Sequence, residues 1–194
     1  RYLLDADRLI SQIVDAYDLE RDLVVLTADH GMNPKPRSAS PVRCLAEAGI
    51  TATGVPLIRD GLFAHHRDLG GSLYLYLENP QQTARAREIL ARAPGIDAVV
   101  PRSEAAEFHL PRERVGDLIC FGQRHWALGV WDEGEAVRGE EGLRSHGSLH
   151  EQMIPMVMAG AGIRPGSRIE KGSIVDLAPT LCHLLGLEGR SFHG

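Results

Sequence analysis

The chain has 194 residues, of which 43% are hydrophobic and 24% are charged, with a formal net charge of −5. This composition is ordinary for a globular protein, its negative charge argues against nucleic acid as a partner, and no apolar run approaches the roughly 20 residues of a membrane span. Three widely spaced cysteines, an odd number, argue against a disulfide framework and predict a reducing, cytoplasmic compartment.

The chain opens with a predicted helix followed by a predicted strand. Apolar residues recur at near-helical spacing from Tyr2 to Leu19, with charged residues between them. Leu23 to Leu26 then form an unbroken apolar run, which is typical of a strand buried on both faces of a mostly parallel sheet. Because the first residue is Arg1 rather than Met, we interpret the start as a cut through a larger protein.

The predicted strand stops at Asp29-His30-Gly31. In open α/β sheets ligands bind just beyond the carboxyl ends of strands, and Gly31 lets the backbone bend sharply there. A carboxylate and an imidazole side by side suit zinc or a similar divalent ion. A bare Asp-His pair is more often a capping carboxylate with a solvated neighbour. The buried strand, the glycine and a second His-Gly pair further on favour the metal site.

Residues 42–133 are predicted to form a compact α+β lobe inserted between two pieces of the main sheet. The remaining residues, 1–41 and 134–194, are predicted to form the metal-binding α/β core. The predicted elements of the lobe are a helix from Val42 to Ala48, strands at Thr51 to Ile58 and Ser72 to Leu77, a helix from Gln81 to Ala93, a strand from Ile96 to Val100, a short helix capped by Ser103, and a hairpin from Asp117 to Phe121 and Trp126 to Trp131.

A second candidate ligand lies in the turn Ser145-His146-Gly147, ahead of the apolar run from Met153 to Gly160 that we expect to rejoin the main sheet. His150 follows four residues after His146, but two histidines at this spacing share a face only on a helix, which the nearby glycine disfavours. We therefore take His146 as the ligand candidate and His150 as a polar neighbour or surface residue.

Three motifs resemble the alkaline phosphatase superfamily, and within it the type I phosphodiesterase/nucleotide pyrophosphatase branch. They are Thr-Ala-Asp-His-Gly-Met at residues 27–32, Ser-His-Gly at 145–147 and Val-Asp-Leu-Ala-Pro-Thr-Leu at 175–181. The predicted lobe is similar to that of phosphonoacetate hydrolases in His65-His66 ahead of Leu69-Gly70, in Pro94-Gly95-Ile96, and in Arg114 to Leu118 followed by Arg124-His125. The resemblance covers nearly the whole chain but only the C-terminal half of such an enzyme. It implies an alkaline-phosphatase-like α/β fold, a mostly parallel sheet flanked by helices, with an inserted lobe.

The resemblance implies a site with two zinc ions. Asp29 and His30 would bind one ion and His146 the other, with the nucleophile and the remaining ligands upstream of Arg1. It also implies hydrolysis of a small phosphorus-containing anion, foremost cleavage of the carbon–phosphorus bond of phosphonoacetate to give acetate and phosphate. The alternatives are a phosphodiesterase or nucleotide pyrophosphatase on the same metal site, and a non-catalytic remnant of the fold. A homodimer is left open.

Four side chains are candidates for contact with an anionic substrate: His66, Lys35, Arg124 and His125. Lys35 lies in a proline-rich loop after the metal motif, where a solvated loop charge is the alternative that we favour. The other three lie in the predicted lobe, which we expect beside the metal site, where substrate selection is usually placed. Because both metal motifs adjoin strands of one predicted sheet, we expect Asp29, His30 and His146 to converge.

Overall fold

A computed structural model describes residues 2–59 and 67–187. In chain order these residues form α1 (Tyr2–Val14), β1 (Leu23–Thr27), β2 (Asn33–Pro34), β3 (Arg37–Ala39), α2 (Pro41–Glu47), β4 (Ala52–Pro56), β5 (Ser72–Leu77), α3 (Thr83–Leu90), β6 (Ile96–Pro101), β7 (Leu118–Gly122), β8 (Trp126–Leu128), β9 (Val137–Gly139), β10 (Arg144–Ser145), β11 (Met156–Gly160) and α4 (Leu177–Leu184). Within these described ranges no helix has the length and apolar character needed to cross a bilayer.

The chain divides into two compact units, a terminal unit of Arg1–Thr27 with Pro155–Gly194, and a central unit of Ala28–Ile154. Both predicted metal motifs lie in the central unit, together with the whole of the predicted lobe at 42–133. The predicted separation of that lobe from a core of 1–41 and 134–194 stays a prediction.

The terminal unit contains the strand that follows the first helix, and that strand is confirmed as β1. It pairs antiparallel with β11, from Leu23 opposite Gly160 to Thr27 opposite Met156. This pairing differs from the mostly parallel sheet that the apolar run predicted, and Leu26 is 38% exposed rather than buried on both faces. The physical reason is that a two-stranded ribbon gives each strand only one paired edge and leaves much of its faces uncovered.

The first helix is shorter than predicted and contributes nothing to a core. It ends at Val14 because the chain turns at Asp18, whose side chain accepts a hydrogen bond from the Glu20 N–H at 3.1 Å. No residue of α1 is buried, and Tyr2 is 89% exposed.

The central unit is built on a four-stranded antiparallel sheet with strand order β4-β5-β7-β6. The alternation in Ser72–Leu77 predicts β5 with its observed bounds, and its leucines are buried. They pack with residues of α2 and α3 in one core: Leu45, Leu73, Leu75, Leu77, Ala86 and Leu90. A second cluster contains Val100, Ala105, Val115, Ile119 and Phe121.

Two local predictions in this unit are wrong. The helix after β6 is a 3₁₀ helix over Arg102–Phe108 whose N-cap is Pro101, so Ser103 lies inside it and does not cap it. The predicted hairpin is absent among the described strands, because β8 pairs in parallel with β3 instead of with β7. β3 also pairs antiparallel with β9, which gives the three-stranded sheet β8-β3-β9, so part of the segment predicted to be a proline-rich loop forms a strand.

A short antiparallel ladder brings the two metal motifs together. β2 pairs with β10, so that Asn33 lies opposite Ser145 and Pro34 opposite Arg144. Asn33 follows Asp29 and His30 by three or four residues, and Ser145 directly precedes His146. The pairing therefore fixes the two histidine-bearing turns side by side.

Candidate active site

The rings of His30 and His146 are stacked, with centroids 3.5 Å apart and planes 8° from parallel. The structure thus brings together the two histidines that the sequence motifs single out, from two separate turns of the central unit. His30 has a side chain 35% exposed, so this ring is accessible to a small molecule or ion from solvent.

Asp29 completes the group. Its Oδ1 accepts a hydrogen bond from the His30 N–H at 3.0 Å, and its Oδ2 lies 3.7 Å from His30 Nε2. The other ring nitrogen, Nδ1, lies 2.8 Å from the carbonyl oxygen of Gly31. Because a carbonyl can only accept, the neutral ring carries its proton on Nδ1, which leaves the lone pair of Nε2 on the side of the Asp29 carboxylate. A backbone carbonyl that holds one imidazole nitrogen is the arrangement usual for a metal-binding histidine.

The donor set fits part of a zinc site. Two ligand atoms about 2.0–2.1 Å from a tetrahedral zinc lie about 3.3 Å apart, close to the 3.7 Å between Asp29 Oδ2 and His30 Nε2. Among residues 2–59 and 67–187, however, no group of three or more His, Cys, Asp or Glu side chains is placed to hold one metal ion. The described residues therefore offer a partial site rather than a closed one.

The backbone around His146 is packed tightly. The Gly71 N–H donates to the His146 carbonyl at 2.6 Å, and Ser145 Oγ donates to the Leu69 carbonyl at 2.8 Å. A Cβ on Gly71 would lie 2.1 Å from the backbone nitrogen of Ser148, so only glycine fits there. Gly147 has a φ of +94°, which lets the chain turn directly after the histidine.

Lys35 is buried, which corrects its interpretation as a solvated loop charge. Its side chain is 0% exposed, and its ammonium donates to Glu151 Oε1 at 2.9 Å and to the Arg124 carbonyl at 3.0 Å. The Lys35 side chain points inward because the following strand, β3, pairs with β8 and β9, and because the Glu151 carboxylate accepts its hydrogen bond inside the protein. Both hydrogen bonds lead into the protein, so this Nζ is directed away from solvent and from a substrate approaching from it.

Glu151 is the residue that sequence reasoning missed. Its Oε1 also accepts from Asn33 Nδ2 at 2.7 Å, its Oε2 accepts from the N–H and the hydroxyl of Ser148 at 2.8 and 2.6 Å, and its carbonyl accepts from the Gly31 N–H at 2.7 Å. Burial alone would raise the pKa of Glu151, but the hydrogen bonds from Ser148, Asn33 and Lys35 outweigh it and lower the pKa to about 2. Nothing in a Leu-His-Glu-Gln stretch signals that its glutamate is buried.

The remaining sequence candidates are placed as follows. His66 lies outside the described residues. The Arg124 side chain is exposed, while His125 Nδ1 lies 3.1 Å from the Pro34 carbonyl. His125 and Arg144 line a cavity of about 300 Å³ together with Pro34, Pro36, Glu140, Gly142 and Leu143. His150 is a surface residue whose Nε2 lies 3.1 Å from Asp97 Oδ2, in agreement with its interpretation from sequence.

A second cavity, of about 560 Å³, begins at the residue after His146. Its lining mixes apolar and aromatic side chains with polar ones and comprises Glu107, Phe108, His109, Leu110, Phe121, Gly147, Ser148, Leu149 and Gln152. The rings of Phe108 and Phe121 are stacked with centroids 5.3 Å apart. Sequence reasoning did not anticipate this cavity, because its residues come from three separate segments.

Comparison with known proteins places these features in a family. A model of the type I phosphodiesterase/nucleotide pyrophosphatase family matches residues 1–149. The phosphonoacetate hydrolase of Sinorhizobium meliloti, solved with phosphonoacetate and with phosphonoformate, superposes with a TM-score of 0.68 at 28% identity, over 84% of this chain and 41% of that one. Human ectonucleotide pyrophosphatase/phosphodiesterase 5 gives a TM-score of 0.66 at 18% identity, over 97% of this chain and 47% of that one, a likeness of fold alone.

A further protein, named for a different activity, is also similar in sequence. A protein named calcium-transporting ATPase, from Myroides odoratus, is 30% identical over 119 residues, which are 58% of this chain and 22% of that protein. The chain thus spans less than half the length of each of these relatives. The solved relatives have alkaline-phosphatase-like α/β folds, which confirms the α/β class, whereas the mostly parallel sheet is not confirmed by the described strands.

Proposed function

Because the chain belongs to the type I phosphodiesterase/nucleotide pyrophosphatase family, we propose that it forms part of a zinc-dependent hydrolase acting at phosphorus. The observation that carries the proposal is the stacked pair of His30 and His146 with the Asp29 carboxylate beside His30 Nε2. Two separate sequence motifs supply these donors, and the β2–β10 ladder holds them at one place.

The ring geometry favours two ions rather than one. A metal lies in the plane of the imidazole that binds it, and the planes of His30 and His146 are stacked and nearly parallel. One ion cannot lie in both planes, so Asp29 and His30 would hold one zinc and His146 the other. When bound, a zinc pair stabilises negative charge on the attacking and leaving sides of a displacement at phosphorus.

The residues of this chain then have distinct tasks. Asp29 and His30 offer an oxygen and a nitrogen to one ion, and the Gly31 carbonyl keeps the His30 proton on Nδ1, so that Nε2 stays available. We place the nucleophile and the remaining zinc ligands outside these 194 residues. Support comes from the partial donor set and from the chain's span of only 41% of the phosphonoacetate hydrolase.

We propose phosphonoacetate, a small dianionic phosphonate, as the first candidate substrate. The likeness to a phosphonoacetate hydrolase at 28% identity supports it, as do the lobe motifs at 114–118 and 124–125. His125 and Arg144 are among the residues that line the 300 Å³ cavity, which Glu140 also lines. His66 keeps its predicted role, whereas the burial of Lys35 removes the support for a direct contact of its ammonium with substrate.

A phosphodiester with an aromatic or other apolar group is the second candidate. The cavity that begins at Gly147, the residue after His146, favours it, because Phe108, Phe121 and Leu149 in its lining offer apolar surface to such a group. A non-catalytic remnant is the remaining alternative, and it requires no stoichiometric zinc.

The test uses the full-length protein with phosphonoacetate and bis(p-nitrophenyl) phosphate as substrates. We expect a chelator to abolish turnover and added Zn²⁺ to restore it, with phosphonoacetate preferred. Preference for the diester together with loss of that activity in Phe108→Ala would transfer the assignment to the second candidate. Absence of bound zinc and of turnover on both substrates would leave only the non-catalytic remnant.

We also propose a cytoplasmic location and a small phosphorus-containing anion as the partner, without nucleic acid or membrane. The free state of Cys44, Cys120 and Cys182 supports a reducing compartment. The net charge of −5 supports the absence of a nucleic-acid partner. Cell fractionation with an antibody to the full-length protein tests the location.

A further inference from the structure

We propose that Glu151 and Lys35 form a positioning unit that holds the His30 and His146 rings in register for the metal pair. The inference rests on the proposed function for its purpose, but its geometric basis lies wholly within the described residues of the central unit. Glu151 is not one of the proposed ligands, and it accepts hydrogen bonds from Gly31, Asn33, Lys35 and Ser148, which flank the two histidines in the chain. Its role is to act through the segments that carry the two rings.

Neither histidine lies in a helix or a strand. His30 lies between β1 and β2, and His146 directly follows the two-residue strand β10. The β2–β10 ladder brings the two turns together, but both histidines lie outside it. The orientation of the rings depends further on contacts between the segment after His30 and the loop after His146.

One side chain, that of Glu151, adds such contacts beyond the β2–β10 ladder. Glu151 Oε1 accepts from Asn33 and Lys35, on the segment that follows His30. Its Oε2 accepts from the N–H and the hydroxyl of Ser148, two residues after His146. Its own carbonyl accepts from the N–H of Gly31, the residue next to His30. A carboxylate is needed, because a carboxamide has only one acceptor oxygen and cannot serve both loops.

Both charges of the ion pair between Lys35 and Glu151 are buried. Lys35 is 0% and Glu151 3% exposed. A buried ion pair is a poor source of stability, because desolvation of the two charges offsets their attraction and apolar residues of similar volume often serve as well. The carboxylate of this pair accepts hydrogen bonds from both loops, while the ammonium also donates to the Arg124 carbonyl. The pair is explained better by the position it gives those loops than by the stability it adds. A solvated lysine at position 35 would not donate to Glu151 and would add no link between the two loops.

The experiment uses the metal-free full-length protein and three variants. Glu151→Gln breaks the connection but leaves the Lys35 ammonium buried without its carboxylate, so it risks unfolding. Lys35→Met combined with Glu151→Gln removes that charge and serves as the variant that keeps its fold. Glu104→Gln is the matched control, because it neutralises a partly exposed carboxylate paired with Arg87 at 3.2 Å.

Three readouts separate positioning from stability: the thermal midpoint, the NOE between the ring protons of His30 and His146, and the affinity for Zn²⁺. We expect the double variant to melt within a few degrees of the wild type, to lose the inter-ring NOE, and to bind Zn²⁺ 10- to 100-fold more weakly, as is usual when groups behind a ligand are removed. The control should match the wild type in all three. A double variant that keeps both the NOE and the zinc affinity would overturn the proposal.

The experiment tests the proposed zinc-dependent function and the positioning role of Glu151 and Lys35 independently of each other. If the wild type binds no zinc, the proposed function is lost, while the inter-ring NOE still decides whether Glu151 and Lys35 position the rings. If zinc binds and supports turnover but the double variant keeps its ring geometry, only the positioning role is lost.

Discussion

The backbone N–H of Gly71 donates a hydrogen bond of 2.6 Å to the carbonyl oxygen of His146. Gly71 directly precedes β5 in the four-stranded sheet, and its own carbonyl accepts from the Gly122 N–H at 2.8 Å. The proposed zinc ligand is therefore tied through one glycine to the most deeply packed part of the central unit. The turn that carries it is anchored to a rigid sheet, which is the support that an ordered metal ligand needs.

Replacement of Gly71 by alanine should disturb this anchor. Its Cβ would lie 2.1 Å from the Ser148 nitrogen and 2.6 Å from the Gly147 carbonyl carbon, both backbone atoms that cannot rotate away. We expect a loss of roughly 1–3 kcal/mol in the free energy of unfolding, measured by urea titration. Gly139→Ala is the control, because no atom lies within 4 Å of a Cβ there. Equal stability of the two variants would contradict the packing described.

Single substitutions of the stacked histidines should affect two different zinc ions. We expect His30→Ala and His146→Ala each to lower the zinc content of the full-length protein from about two to about one, because each parallel ring serves its own ion. Elemental analysis after dialysis measures the stoichiometry. His150→Ala is the control, since that ring pairs with Asp97 at the surface. Loss of both ions in each variant would indicate that the rings share one metal or depend on each other for binding.

The 194-residue chain, expressed alone, should be inactive and bind zinc weakly. Its described residues, 2–59 and 67–187, offer two proposed ligands to one ion and one to the other, whereas zinc sites normally have three or four protein ligands. Turnover of phosphonoacetate and calorimetric titration with Zn²⁺ measure this, with the full-length protein assayed in parallel. Zinc-dependent turnover by the 194 residues alone would place the nucleophile within them.

Acid should weaken the central unit through Glu151. Its pKa falls from an ordinary 4.5 to about 2 on folding, so the ionised carboxylate contributes stability that is fully present above pH 4.5 and is lost as the pH falls toward 2. The difference amounts to about 3 kcal/mol, partly shared with Lys35. Urea unfolding at pH 6 and pH 3 should show a smaller loss for Lys35→Met with Glu151→Gln than for the wild type. Equal losses would mean that other carboxylates dominate.

The sequence predicted the features that depend on local pattern. The alternation in Ser72–Leu77 gives its strand directly, and Asp29-His30-Gly31 ends a strand as expected. It could not predict pairing between distant segments. The turn at Gly122 to His125 suggested a hairpin, yet β8 pairs with β3, since pairing is decided by the sheet rather than by the turn.

The burial of Lys35 escaped sequence reasoning for the same reason. Proline-rich surroundings indicate a loop, and a lysine in a loop is usually solvated. Its partner Glu151 is far away in the chain, and the pairing of β2 with β10 brings their segments together. A charge whose environment is set by a distant carboxylate cannot be placed from its neighbours in sequence.

The distribution of tryptophan gives the two units separate spectroscopic signals. The chain has two tryptophans, and both lie in the central unit, Trp126 with Arg37 over its ring at 5.5 Å and Trp131 with Arg138 at 4.2 Å. Intrinsic tryptophan fluorescence therefore follows the unfolding of the central unit, while α1 and α4 of the terminal unit contribute only to the far-ultraviolet circular dichroism. A dichroism transition that precedes the fluorescence transition would mean that the terminal unit melts first, without any change in tryptophan emission.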